Sequence, residues 1–149
     1  MLAVMSGYRK SSHSVYSLKY HVVWITKYRK RVLTGAVGVR IREIVRETCS
    51  SLDVVIEKGH VSSDHVHLLV SVPPHLSVSK LVQSVKGRSS RKLMLENRAL
   101  KKMFWGRHLW ARGYFACTTG NVTDEIIKEY IENQEVERGR DDDFSVEGE

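Results

Sequence analysis

The stretch "SSDHVHLLVSVPP", residues 62–74, decides how the rest of the chain is read. Side chains alternate along a strand, so Val66, Leu68, Val70 and Val72 share one face and His65, His67, Leu69 and Ser71 the other. Pro73 and Pro74 close the segment, since neither can donate a hydrogen bond to a neighbouring strand. With the aliphatic face turned to a core, the two imidazoles stand together on the opposite, open surface.

Just upstream, "LDVVIEKGHV" (52–61) is another β-branched run, and only "SSD" separates the two, which makes them an antiparallel hairpin. "HSVYSLKYHVVWITKY" (13–28) supplies a first strand at roughly 14–25. Between them, "AVGVRIREIVRETCSSL" (36–52) brings Val37, Ile41, Ile44 and Val45 round at helical spacing. Downstream, Ser77 offers an N-cap to a helix over 78–97, striped by Val78, Leu81, Val82 and Val85; Gly87 and the serines after it are expected to bend or interrupt it. "GYFACTT" reads as a fourth strand and "NVTDEIIKEYIENQEVERG" (121–139) as a last helix, ended by Gly139. The order is β-α-β-β-α-β with one additional C-terminal helix. That is a ferredoxin-like α+β domain, a four-stranded antiparallel sheet with two helices on one face. Residues 1–13 are expected to be a flexible arm, 14–138 the domain, and 139–149 an acidic, mobile tail.

Charge narrows the partner. The formal net charge is +7, yet the acids gather in "RDDDFSVEGE" (140–149), so the body is more basic than the total. Positives crowd "KYRKR" (27–31) and "KGRSSRK" (86–92), which favours a polyanion such as nucleic acid. The opening "MLAVMSGYRK" lacks the apolar centre of a signal peptide, and the apolar runs are too short to span a membrane. Cys49 and Cys117 have no metal-like spacing and suit a reducing compartment, so the reading is a cytoplasmic protein.

Two imidazoles two apart on a strand can share one divalent ion if a further ligand completes the site, but they also serve as surface or hydrogen-bonded histidines. Asp64 is a candidate to orient one ring or to contribute an oxygen ligand, although its side chain starts from the other face. In "DEIIKEYIENQ", Tyr130 and Gln134 lie one helical turn apart, with Ile127 and Ile131 beside them. Tyr130 reads either as an amphipathic core-edge residue or as a nucleophile; its hydroxyl has a pKa of about 10 and needs help to ionise. Periodicity alone does not join this helix to the histidine strand.

"DHVHLLVSVPP", "LVQSVKGRSS", W-x-x-G-Y-F at 110–115 and "TTGNVTDEIIKEYIENQ" together resemble the single-tyrosine HUH transposases of small bacterial insertion sequences, from about Tyr16 through Gln134. The resemblance implies that His65 and His67 are the histidines of the HUH motif, that Tyr130 is the nucleophile, and that Gln134 is a further metal-site residue. It implies cleavage and rejoining of single-stranded DNA near hairpins at the element ends, through a 5′-phosphotyrosine. A divalent cation is implied, Mg²⁺ first and Mn²⁺ as the alternative. So is a homodimer in which one subunit's tyrosine serves the other's histidines; the fourth and first strands are expected to leave an edge for such pairing. Ser63 stands where many relatives have proline. Arg29, Lys30, Arg31, Lys86, Arg88, Arg91 and Lys92 are candidates for phosphate contacts, and Tyr28 or Trp110 for stacking on a base. Two other readings fit parts of the pattern, a noncatalytic single-strand-binding module and a domesticated nickase acting on chromosomal repeats.

Overall fold

Val66, Leu68, Val70 and Val72 are all but fully buried, so the aliphatic side of the quoted strand is where the main core forms. The computed structural model describes residues 7–105, 108–118 and 124–134, with the side chains of 124, 127 and 134 excepted. Ten elements follow in order: strands β1 (Arg9–Lys10), β2 (Val15–Tyr16) and β3 (Lys19–Ile25), helix α1 (Gly35–Ser51), strands β4 (Val55–Val61) and β5 (His65–Ser71), helices α2 (Val78–Glu96) and α3 (Arg98–Met103), strand β6 (Phe115–Thr118) and helix α4 (Asp124–Gln134). A single 3₁₀ turn, Lys27–Arg29, follows β3.

The main sheet is antiparallel with strand order β4-β5-β3-β6, which is the ferredoxin-like arrangement expected. One detail corrects the sequence reading. The first long strand, β3, is central and paired on both sides; the edges are β4 and β6. The expected 14–25 strand is also split, and its first part forms a small ribbon in which β2 pairs with β1. Arg9 ties that ribbon to the body through the Asp53 carboxylate at 3.0 Å and the Ser71 carbonyl at 3.0 Å.

Helices α1 and α2 cover one face of the sheet, where Val22, Trp24, Val66, Leu68 and Val70 meet Ile41, Ile44, Leu81, Val82 and Val85. Ser77 caps α2 as its sequence suggests, its hydroxyl accepting from the Lys80 amide. The break expected near Gly87 does not occur. The Ser89 hydroxyl donates to the Val85 carbonyl at 2.6 Å and accepts from the Trp110 indole at 2.9 Å, so it serves the helix instead of competing with it. Helix α3 has no counterpart in the sequence reading. Asn97 ends α2 with an extended backbone and its side chain accepts from the Leu100 amide, starting the short new helix at once.

The sheet's other face is covered differently. Val23, Ile25 and Ile131 form a second small cluster with Ala111, Phe115 and Tyr130 against it. Helix α4 therefore packs across the face that carries the histidines, and its amphipathic pattern supplies Ile131 as the anchor.

Candidate active site

Register places the site residues in rows. In antiparallel pairing, residues directly opposite share a face. Phe115, Val23, His67 and His60 thus lie in one line across all four strands, and Ile25 stands opposite His65 in the next. His21, Val23 and Ile25 alternate along β3, so His21 belongs to the same face. Four histidines are gathered here, from three strands.

His65 and His67 are buried, with 5 % and 7 % of their surfaces exposed, where the sequence reading put them on an open surface. His21, His60 and Asp64 crowd the two rings, and α4 packs on the same face through Ile131 against Val23 and Ile25. The turn before them is held from three directions: Thr26 N–H donates to the Asp64 carbonyl at 2.9 Å, Leu33 N–H to the Ser63 carbonyl at 2.9 Å, and Ser62 N–H to the His65 carbonyl at 2.9 Å. Ser63 takes part in this turn through its backbone carbonyl, and its side chain is buried.

Of the two roles open to Asp64, the structure shows a hydrogen bond to the His65 ring. Burial pushes its carboxyl upward, but the hydrogen bond and charge of His65, together with Arg29, outweigh that and hold it below the ordinary carboxylate range. An ionised carboxylate only accepts, so His65 Nδ1 is the donor in their 2.9 Å bond and Nε2 is the nitrogen left to face outward. His67 is kept neutral: burial first, then the imidazoles of His21, His65 and His60, push it down to about 3. Its Nε2 lies 3.0 Å from His21 Nδ1. His60 is a second neighbour that sequence reasoning passed over, with its ring 6.3 Å from that of His65 and Nε2 on the Ser62 hydroxyl. Both were readable as same-face positions once period 2 was applied to their own strands; only the pairing of strands shows which histidines they meet.

Neutral imidazole is the form that binds a cation, and a carboxylate behind one ring is a common support for such a ligand. The donor set thus fits a divalent ion shared by His65 and His67. Among the described residues no three His, Cys, Asp or Glu side chains converge as a metal site. Gln134 closes α4, and its side chain lies outside the described residues. Tyr130 is half-buried, its ring 5.4 Å from Phe115, and burial pushes its hydroxyl above the ordinary phenol range. It is a protonated phenol at neutral pH.

The chain matches the family described as IS200-like transposases over residues 14–134. The chain belongs to that single-tyrosine HUH family. The ISDra2 transposase TnpA of Deinococcus radiodurans is 35% identical over 126 residues, 85% of this chain and 90% of that one. The transposase for insertion sequence element IS200 of Salmonella typhimurium is 33% identical over 130 residues, 87% and 85% of the two chains. A crystal structure from Deinococcus radiodurans R1, described there as a candidate transposase, superposes with a TM-score of 0.79 at 34% identity, covering 85% of this chain and 98% of that one. The REP-associated tyrosine transposase bound to a REP hairpin has a TM-score of 0.53 at 11% identity, over 83% and 69%, and shares the fold. As a member of this family the protein is an enzyme that cuts and rejoins single-stranded DNA through a tyrosine intermediate.

For this transposase the basic residues divide by environment. Tyr28 is exposed, with the Lys27 and Lys30 ammonium groups 5.5 and 6.0 Å from its ring centre. Arg31 is exposed as well. Arg29 is not a surface contact: its side chain is 2% exposed and bonds to Asp64 at 3.0 Å. Trp110 is buried too, edge-on to Trp24. Both leave the set of solvent-facing DNA contacts. Helix α2 spreads its basic run over two sides. Arg88 and Lys92, four apart, reach Ser51 and Glu47 of α1, while Lys86 and Arg91 line a groove of about 710 Å³ with Lys101, His108 and Arg112. Lys86 is turned inward, donating to the carbonyls of Ala111 and Gly113 at 2.8 and 3.0 Å, and burial pushes its pKa down. No helix among the described residues is long and apolar enough to cross a membrane.

Proposed function

We propose that His65, His67 and Gln134 hold one divalent cation, that Tyr130 is the nucleophile, and that the substrate is a hairpin-bearing single strand at the ends of an insertion sequence. The observation that carries this reading is the placing of His65 and His67 on the sheet face packed against the tyrosine helix, with the His67 imidazole neutral. When bound, the cation would polarise the scissile phosphate, and Mg²⁺ suits the oxygen-rich phosphate best. Tyr130 Oη forms a bond to phosphorus while the bond from phosphorus to the 3′-oxygen breaks. The phenolic proton leaves, and the departing strand ends as a 3′-hydroxyl. The 5′-phosphotyrosine keeps the bond energy for rejoining to another 3′-hydroxyl. Two neutral ligands and an amide leave the ion's charge undiminished beside the phosphate, which is where a raised phenol pKa needs it.

Tyr28, Lys30, Arg31 and the groove lined by Arg91, Lys101 and Arg112 are the surfaces we assign to DNA. We further propose a homodimer with composite sites in trans. Within one chain the Tyr130 ring rests on Phe115, two strands from His67 along the shared row, about 10 Å at the backbone. Tyr130 of the same chain is thus held away from the histidine pair, which supports the trans reading.

Mixing a His65→Ala/His67→Ala protein with a Tyr130→Phe protein tests both parts. Neither parent should form a covalent adduct with a hairpin strand and Mg²⁺, whereas verified heterodimers should regain one working site. Heterodimers that stay inactive beside active wild-type protein would sink the trans assignment; cutting that is unchanged by a chelator would sink the metal.

A further inference from the structure

The segment from Trp110 to Phe115 has one side on the basic groove and the other on the tyrosine helix. Trp110, Ala111 and Arg112 line the groove, while Ala111, Phe115 and Tyr130 all pack against Val23, Ile25 and Ile131. Backbone pairing fixes both ends of it. The Ala111 amide donates to the Ile25 carbonyl at 2.9 Å, and Phe115 enters the ladder opposite Val23. Between those points the hold comes from α2. Lys86 Nζ donates to the Ala111 carbonyl at 2.8 Å and to the Gly113 carbonyl at 3.0 Å. Gly113 has φ of 81°, in the left-handed region that glycine enters without strain. The two carbonyls, two residues apart, converge on one ammonium.

An ammonium has three N–H donors, and Lys86 uses two of them on uncharged acceptors. The third is left for the groove that its side chain lines. Among the described residues lining that groove there is no Asp or Glu, and Arg91, Lys101 and Arg112 add to its positive charge. A phosphate oxygen there would complete the bonds of the half-buried ammonium and neutralise its charge.

We propose that Lys86 is a positioning residue through which a DNA phosphate in the groove tightens the segment carrying Phe115, the surface on which the Tyr130 ring rests. This builds on the assignment of the groove to DNA and goes beyond it, from binding to control of the nucleophile's seat. A phosphate that bonds the ammonium in its clasped position binds that state better than an open one, so by linkage it stabilises the clasp. With the groove empty, the same charge is drawn toward water and the clasp opens more often. The short path from Gly113 to Phe115 carries the difference to the tyrosine cluster.

The test uses the full chain, single-stranded oligothymidylate at low salt, and hydrogen exchange of the Phe115–Thr118 amides. Saturating strand should slow their exchange about tenfold in wild type. In Lys86→Met they should exchange faster without DNA and gain less than about twofold protection from it, although the strand still binds with a severalfold loss of affinity. Lys86→Arg, which keeps a cation with several donors, should restore the protection. Wild-type amides that do not respond to the strand overturn the proposal with no variant needed. So does a Lys86→Met protein protected as wild type is, or a Lys86→Arg protein that behaves like Lys86→Met. The groove assignment is checked separately with Arg91→Ala/Lys101→Ala. Wild-type affinity and salt slope in that protein would mean that DNA lies elsewhere, and the proposal would fall with the groove. A weakened slope there, beside unresponsive Phe115–Thr118 amides in wild type, would sink the coupling alone.

Discussion

The two faces of this sheet are made by the same strands and could hardly be less alike. On one, Val22, Trp24, Val66, Leu68 and Val70 are sealed under α1 and α2 with no charged side chain among them. On the other, the residues between them, His21, Val23, Ile25, His65 and His67, mix imidazole with aliphatic side chains under the single helix α4. The first face contributes stability through apolar burial and close packing. The second keeps ionisable groups in a dry setting, which costs stability but holds His67 neutral and Tyr130 protonated until they are needed. A period of two is what lets one strand serve both ends without compromise.

If the division of labour holds, substitutions on the two faces should separate activity from stability. The largest effect is expected at Tyr130→Phe, which removes one oxygen from the nucleophile. Adduct formation should fall by about 10⁴-fold or more, with an unchanged unfolding midpoint. Residual adduct within tenfold of wild type would mean that another residue attacks.

The reverse behaviour is expected across the sheet. Leu68→Ala leaves a cavity beneath α1 and α2 and should cost about 2–5 kcal/mol in denaturant unfolding, while the cleavage rate per folded molecule stays near wild type. A large loss of rate at full folding would show that the faces are not independent.

Acid sharpens the comparison further. His67 has a folded pKa of about 3, below its unfolded value of about 6.5, so between those limits the unfolded chain binds more protons. Stability contributed by the neutral ring is intact above the unfolded pKa and drains away as pH falls toward the folded one. Lowering the pH from 7 to 4 should remove on the order of 1–3 kcal/mol, and His67→Phe should flatten that slope. Equal slopes in the two proteins would mean that His67 is charged in the folded state.

The smallest effect belongs to the basic groove. Arg91→Ala or Lys101→Ala should weaken single-strand binding only severalfold and lower the salt dependence by roughly one phosphate contact each. Filter binding at several salt concentrations reads both, and an unchanged salt slope would remove these side chains from the DNA path.

How much of this was legible beforehand follows from the range of each interaction. Alternation in "HVHLLVSV" and the helical spacing of Ile41, Ile44 and Val45 are local, and both were read correctly because the face a side chain takes obeys local period. The missed helix α3 depends on an Asn97 side chain capping its own chain three residues on, in a segment whose apolar pattern is weak. Gly87 and Ser89 misled for the opposite reason. Their propensity argues for a break, and a partner 21 residues away, Trp110, removes it.

By itself, then, the sequence determined the α+β order, the aliphatic core face, and the grouping of motifs that marks a single-tyrosine transposase. Only the tertiary structure decided that β3 lies in the centre, that His21 and His60 join the histidine pair, and that Arg29 turns inward to Asp64 instead of outward to DNA. The physical reason is that periodicity fixes the side of a strand a residue takes, whereas its neighbours on that side come from the pairing of distant segments. Charge alone carries no address: Arg29, Lys30 and Arg31 read alike in sequence, and a left-handed turn buries one of them.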